Sequence, residues 1–198
     1  MPDMVRGTDA SSLWDISTEG RGQIVAVTVT EEQQANVDGN AYNINTGVIT
    51  LTNAADTPVL YVKNNETNDM IVSAIAVGFG ASDGTAGDPN TITIIRNPKT
   101  GTIITDTPTD VDMNQNRNYG SPNTLTNVLA YKGATGDTMT DGEDIIKIFQ
   151  TESGRAFAAL NEVLPKGTSI GVKIEPPDSN TSEKCYAALV VHLRNPNL

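Results

Sequence analysis

Leu164-Pro-Lys-Gly-Thr-Ser-Ile-Gly-Val-Lys-Ile-Glu-Pro-Pro-Asp-Ser-Asn180, followed by Cys185-Tyr-Ala-Ala-Leu-Val-Val-His-Leu193, decides the fold of this chain. Pro165-Lys-Gly167 has the composition of a turn. After it, Ile170, Val172 and Ile174 recur with a period of two, which sets them on one side of a strand. Pro176-Pro-Asp-Ser-Asn180 breaks the run, because proline donates nothing to a β-ladder and Asp, Ser and Asn bond to their own backbone. The closing run from Cys185 to Leu193 is mostly apolar and predicts one long strand. Two strands joined by a polar loop, in a chain that rarely offers a helix, predict an all-β fold: an antiparallel β-sandwich, jelly-roll-like.

Working outward, the same texture recurs upstream. Ile24-Val-Ala-Val-Thr-Val29, Val48-Ile-Thr-Leu51, Val59-Leu-Tyr-Val62, Met70-Ile-Val-Ser-Ala-Ile-Ala-Val77, Thr91-Ile-Thr-Ile-Ile95, Thr102-Ile-Ile-Thr105, Ile145-Ile-Lys-Ile-Phe149 and Ala156-Phe-Ala-Ala-Leu160 all read as short strands. Asn97-Pro-Lys-Thr-Gly101 reads as a hairpin loop between two of them. Helical signals are poor. Residues 31–37 are too few before Asp38-Gly39, and residues 123–131 offer at most a turn or two. Residues 106–125 read as a long polar loop that crosses the surface and contacts a neighbour, with Met113 and Tyr119 as anchors.

Residues 1–22 differ from the rest. Leu13, Trp14 and Ile16 stand among Ser, Thr, Asp and Gly without a sustained period. This is an extended N-terminal arm ahead of a sandwich domain over residues 23–198, and Leu13, Trp14 and Ile16 are its candidate interface residues. Two readings stay open: an arm docked on its own body or on a neighbour, and an ordinary terminal strand.

At 198 residues the chain fits one all-β domain, which runs to roughly 200–250 residues. Such a domain buries about 70 % of its unfolded surface, so it needs no staples. The formal net charge is −11, and the 13 basic residues never cluster, which argues against nucleic acid as a partner. No run of apolar residues is long enough to span a membrane. Met1-Pro-Asp-Met-Val-Arg-Gly7 lacks the basic and apolar regions of a secretion signal. Asn65-Glu-Thr67 and Asn180-Thr-Ser182 match the glycosylation pattern and are read as loop residues.

Catalytic constellations fail one by one. His192 is the only histidine and lies inside the closing strand, with no Gly-x-Ser-x-Gly elbow in the chain. Cys185, the only cysteine, is seven residues away from it, about 23 Å at strand rise. One His and one Cys do not build a zinc site. Gly78-Phe-Gly80-Ala-Ser-Asp-Gly84 misses the spacing of a phosphate-binding loop and reads as a connector between strands. Asp110-Val-Asp112-Met-Asn114 lacks the later ligands of a calcium loop, and Asp137, Asp141, Glu143 and Asp144 read as turn formers. The expectation is a protein that is not an enzyme, with no catalytic, cofactor-binding or metal-ligating set.

Four stretches carry a family likeness: Val59-Leu-Tyr-Val-Lys-Asn-Asn-Glu66, Ile92-Thr-Ile-Ile-Arg-Asn-Pro98, Val111-Asp-Met-Asn-Gln-Asn-Arg-Asn-Tyr119 and Val163-Leu-Pro-Lys-Gly-Thr-Ser-Ile-Gly-Val-Lys-Ile174. In strand and turn texture, residues 41–193 resemble virion structural proteins of tailed bacteriophages, of the kind that decorate or cement the capsid exterior. The resemblance implies a homo-oligomeric sandwich on the capsid surface of a virion, bound to the major capsid protein or another virion protein. It carries over no catalytic or binding residue. The alternative is a sandwich at a tail, neck or fibre that binds a receptor or carbohydrate, and a third reading is a metal-dependent hydrolase.

Overall fold

The computed structural model describes residues 5–6, 13–16, 22–25, 29–52, 56–82, 89–106, 109–151, 154–177 and 182–194. In chain order the elements are β1 (Val5–Arg6), β2 (Leu13–Ile16), β3 (Gly22–Val25), α1 (Glu31–Val37), β4 (Ala41–Asn45), β5 (Ile49–Leu51), β6 (Thr57–Asn64), β7 (Met70–Ser82) and β8 (Asn90–Arg96). They continue with α2 (Thr102–Thr105), β9 (Thr109–Asp110), β10 (Asp112–Asn116), β11 (Val128–Lys132), β12 (Glu143–Gln150), β13 (Arg155–Leu164), β14 (Ser169–Glu175) and β15 (Glu183–Leu193).

The strands form an antiparallel sandwich. One sheet runs β10-β4-β15-β7-β13, with β5 also on β15; the other runs β12-β8-β14-β6-β11-β9. The pairings are nested: β4 with β15, β6 with β14, β7 with β13 and β8 with β12. Such nesting describes one long hairpin folded over and rolled, and the pairs β15–β7 and β14–β8 close the roll. This is jelly-roll topology. The two strands that decide the fold, β14 and β15, lie in opposite sheets.

The pattern of side chains fixes which faces meet. Val172 is registered with Leu60 on one flank and Ile94 on the other, while Leu189 is registered with Ile44 and Ile75. All six are buried in one apolar core between the sheets. Strand β6 is buried on both faces because a smaller cluster of Tyr61, Ile95, Ile103 and Met139 covers its outer side. That cluster explains α2, where sequence predicts a strand. Ile104 and Thr105 donate their backbone N–H to Gly101 O, and the single turn drives Ile103 into the cluster. Residues 97–101 therefore lead into α2, and β8 pairs with β12 and β14.

Four further expectations give way for local reasons. α1 forms despite its seven residues because Thr30 and Gln33 make a reciprocal capping box, with Glu31 and Glu32 at the favourable end of the dipole. β4, missed because Asn is a poor strand former, buries Tyr42 and Ile44 and turns its Asn residues outward. Val128 and Ala130 face inward from β11, where a helical turn was expected, and pair with Asn64 and Val62. Residues 78–80 continue β7 instead of connecting strands, and Gly78 makes room for the Tyr186 ring: a Cβ there would lie 2.2 Å from it.

Among the described residues, the N-terminal strands pair with each other, in the order β1-β2-β3. Ile24 and Val25, assigned to the sandwich domain from sequence, are registered with Trp14 and Leu13.

Candidate functional site

The rolled topology leaves its two sides unequal. β12 and β13 follow one another in the chain and occupy the same side of the two sheets, one strand at the edge of each. β12 pairs with β8 and β13 with β7, so the outer edge of each has no strand partner among the described residues. Ile146, Ile148, Ala158 and Leu160 pack on the core from this side but stay only half-buried. On the outer faces Phe149 is 68 % exposed and Phe157 67 % exposed, and Val163 is exposed further along β13. Two such rings leave on the order of 100 Å² each in water, about 2.5 kcal/mol apiece of unused burial. Bulges at Asp144/Ile146 and at Ala159/Glu162, with Asn161 at φ 54°, interrupt the edges and discourage indiscriminate strand addition.

The opposite side is closed by the 97–142 insertion. β10 extends one sheet beyond β4, and β11 extends the other beyond β6, with β9 outside it. Val111 N donates to Ala130 O at 3.3 Å, tying the two extensions together. Asn116 Nδ2 donates to Gly39 O at 2.8 Å, and Asn118 Nδ2 to Val37 O at 2.9 Å. Glu66 accepts from the backbone of Thr126 and Asn127 at 2.9 and 2.7 Å. Burial works against its charge, but the hydrogen bonds from Asn127 and Thr126 prevail and hold its carboxyl below the ordinary range.

The residues singled out from sequence lie in β2, in β10 and in the turn after β10. Leu13, Trp14 and Ile16 are all in β2, and the burial of their side chains lies outside the described residues. Met113 is in β10, its side chain likewise outside them. Tyr119, in the turn after β10, is fully exposed. Residues 106–125 are less of a loop than expected, since β9 and β10 lie within them. Sequence missed Phe149 and Phe157. Alternation alone suffices to set them opposite the core-facing Ile148 and Ala156.

The groups weighed for chemistry are built into the fold. Ser73 Oγ lies 3.2 Å from His192 Nδ1, a contact that sequence reasoning missed. His192 is buried, its Nε2 has no partner among the described residues, and burial pushes its pKa down against the opposing pull of Glu31 and Glu32. Burial first, then the charge of Glu183, pushes the Cys185 thiol up to about 12, so it stays protonated at neutral pH. Asp137 accepts from Ala134 N at 2.7 Å and from the Thr102 hydroxyl at 3.1 Å, as a turn-forming Asp does. Among the described residues, no three His, Cys, Asp or Glu side chains come together as a metal site would require. No helix among them is long and apolar enough to cross a membrane.

A second feature lies at one end of the sandwich. A cavity of about 820 Å³ is lined by Lys63, Arg96, Asn97, Lys99, Glu143 and Thr168 among others. These residues come from separate stretches of the chain, around 63, 96–104, 143 and 168. β14 unites them, because Ser169 is registered with Lys63 and Ile170 with Arg96. Three of the four stretches quoted for the phage likeness, 59–66, 92–98 and 163–174, meet here.

No family model matches the chain, and no curated protein sequence does. Solved structures that resemble it include the infectious bursal disease virus VP2 subviral particle, 13 % identical over the whole of this chain and 48 % of that one, with a TM-score of 0.20. Another is the T=1 particle derived from infectious bursal virus, 12 % identical over the whole of this chain and 46 % of that one, with a TM-score of 0.18. The chain spans less than half the length of these matches, and at such TM-scores the likeness carries no argument.

Proposed function

We propose that this chain is a structural protein of a virion, one that decorates or cements the capsid exterior by binding neighbouring capsid subunits. The observation that carries the reading is the open side formed by β12 and β13. A solitary domain gains nothing from leaving Phe149, Phe157 and the core-facing residues of two edge strands wet. A subunit that closes this side against a neighbour gains the missing burial. Jelly rolls also serve lectins and cupins, so the topology contributes by analogy only. The resemblance of residues 41–193 to phage virion proteins points the same way, and the net charge of −11 suits a surface facing the medium.

On this reading the protein is a homo-oligomer without catalytic activity. It engages the major capsid protein or another virion protein and neither nucleic acid nor membrane. Leu13, Trp14, Ile16, Met113 and Tyr119 are additional contact residues. The test is to mix purified protein with particles lacking it and image the product by cryo-electron microscopy. Regular density on the capsid, with β12 and β13 facing a neighbour, is the expected result. Density confined to tail, neck or fibre would favour the alternative of a receptor- or carbohydrate-binding module. Absence from every particle would end the virion reading.

A further inference from the structure

We propose that the cavity at the end of the sandwich is a binding site for an acidic saccharide, a sugar unit carrying a carboxylate. The inference is independent of the open side and of capsid attachment. Its first support is charge. The chain carries a net −11, yet Lys63, Arg96 and Lys99 converge on one concavity. Neither Lys63 nor Lys99 makes an ion pair with a described residue. Arg96 is paired with Glu143 at 2.6 Å, but both side chains are largely solvated, so the pair contributes little and re-pairs readily. The guanidinium then offers a planar two-donor fork that fits an incoming carboxylate.

The second support is the arrangement of neutral polar groups beside those charges. Asn97 sits at φ 51°, a conformation held by Asn97 N donating to Ser169 O at 2.8 Å and by its Oδ1 accepting from Ser169 N at 3.0 Å. The same bonds leave its Nδ2 without a partner among the described residues, aimed from a fixed backbone. Thr168 Oγ1 donates to Pro165 O at 2.7 Å, so its lone pairs remain to accept from a hydroxyl. Pro98 and Ile104 supply apolar wall for the C–H face of a pyranose ring.

Shape and composition decide among anionic partners. A volume of about 820 Å³ is that of a pocket for a small ligand. The core of a protein interface is depleted of charge, whereas Lys63, Arg96 and Lys99 all line this cavity. Three cations on an acidic chain fall short of a nucleic-acid track.

The experiment is a titration of the full chain followed by amide chemical shifts, with oligogalacturonate as the probe and a neutral malto-oligosaccharide of equal length as the control. Shifts confined to Lys63, Arg96, Asn97, Lys99 and Thr168, weakening with added salt and absent with the neutral sugar, are expected. The Lys63→Ala/Lys99→Ala variant should keep its melting temperature and bind oligogalacturonate at least about tenfold more weakly. It should attach to particles as the parent does, so failure here and failure of the virion reading stay separate. Three results would overturn the proposal: no shifts with oligogalacturonate, equal binding by the double variant, or stronger binding of an oligoglutamate peptide, which would make the site a receptor for acidic protein segments.

Discussion

The two sides of this sandwich start from the same pattern and end differently. On the β4–β6 side the 97–142 insertion adds β10 to one sheet and β11 and β9 to the other, and ties them through Val111 and Ala130. There Tyr42, Ile44, Val128 and Ala130 are buried. On the β12–β13 side nothing is added, and Ile146, Ile148 and Leu160, at equivalent inward positions, stay half-buried. The alternation that directs a side chain inward is therefore necessary for burial but not sufficient; a neighbouring strand must also cover it. Among the described residues, one side of the molecule has that cover and the other lacks it.

The largest expected effect separates the two sides directly. Ile44→Ala removes a fully buried side chain from the closed side and should cost about 2–5 kcal/mol in urea unfolding of the isolated subunit. Ile148→Ala, at a half-buried position on the open side, should cost roughly half as much. Equal losses would mean that the open side is as well packed as the closed one. The Phe149→Asp/Phe157→Asp variant comes next. Its stability as a monomer should change by about 0.5 kcal/mol or less, since both rings are mostly solvated. Self-association in analytical ultracentrifugation, or attachment to particles, should weaken by about 30-fold or more for each anchor removed. A variant that associates as the parent does would show that the open side is not where neighbours meet. Tyr119→Ala probes the one fully exposed aromatic on the closed side, with an expected weakening of attachment of about fivefold and no shift in melting temperature.

What sequence disclosed and what it concealed follow the same division. Runs with a period of two, such as Ile170, Val172 and Ile174, announce strands because pleating is local. The nesting of β4 with β15 and β6 with β14 is a long-range fact that no local run encodes, although the turn and proline signals bound the choices. β4 stayed hidden because two Asn residues mask its alternation, and α2 because a burial site for Ile103 exists only once Tyr61, Ile95 and Met139 are assembled. The open side was half legible: Ile145-Ile-Lys-Ile-Phe149 reads as a strand, but that it lies at an edge depends on the whole topology. The cationic cavity was not legible at all, since Lys63 lies more than thirty residues from Arg96 and Lys99 and meets them only in the folded sheet.

The smallest effect tests whether the closed side carries a titrating weak point. His192 is registered with Ala41 of β4 and is buried, with Nδ1 3.2 Å from Ser73 Oγ. Burial lowers its pKa in the folded protein, the carboxylates of Glu31 and Glu32 oppose that shift, and Arg117 and Arg194 add to it. In the unfolded chain the imidazole titrates near its ordinary value of about 6.5, so around and below that pH the unfolded state binds more protons than the folded one. The stability that a neutral His192 contributes is therefore fully present above about pH 6.5 and is lost as pH falls through the lower, folded value. Glu66, whose pKa is also depressed, acts in the same direction but only below its ordinary carboxylate range. The two groups thus separate along the pH axis. Melting temperatures taken between about pH 7.5 and about pH 5 should fall for the parent protein and fall less for His192→Gln, whose amide keeps a partner for Ser73 without acquiring charge. Hydrogen exchange over the same range should quicken first in α1 and β4 and leave β12 and β13 unchanged, because the carboxylates that act on the ring belong to α1 and His192 is registered with Ala41 of β4. Coincident melting curves for the two proteins, or exchange that quickens first at β12 and β13, would place the acid-sensitive point on the open side instead.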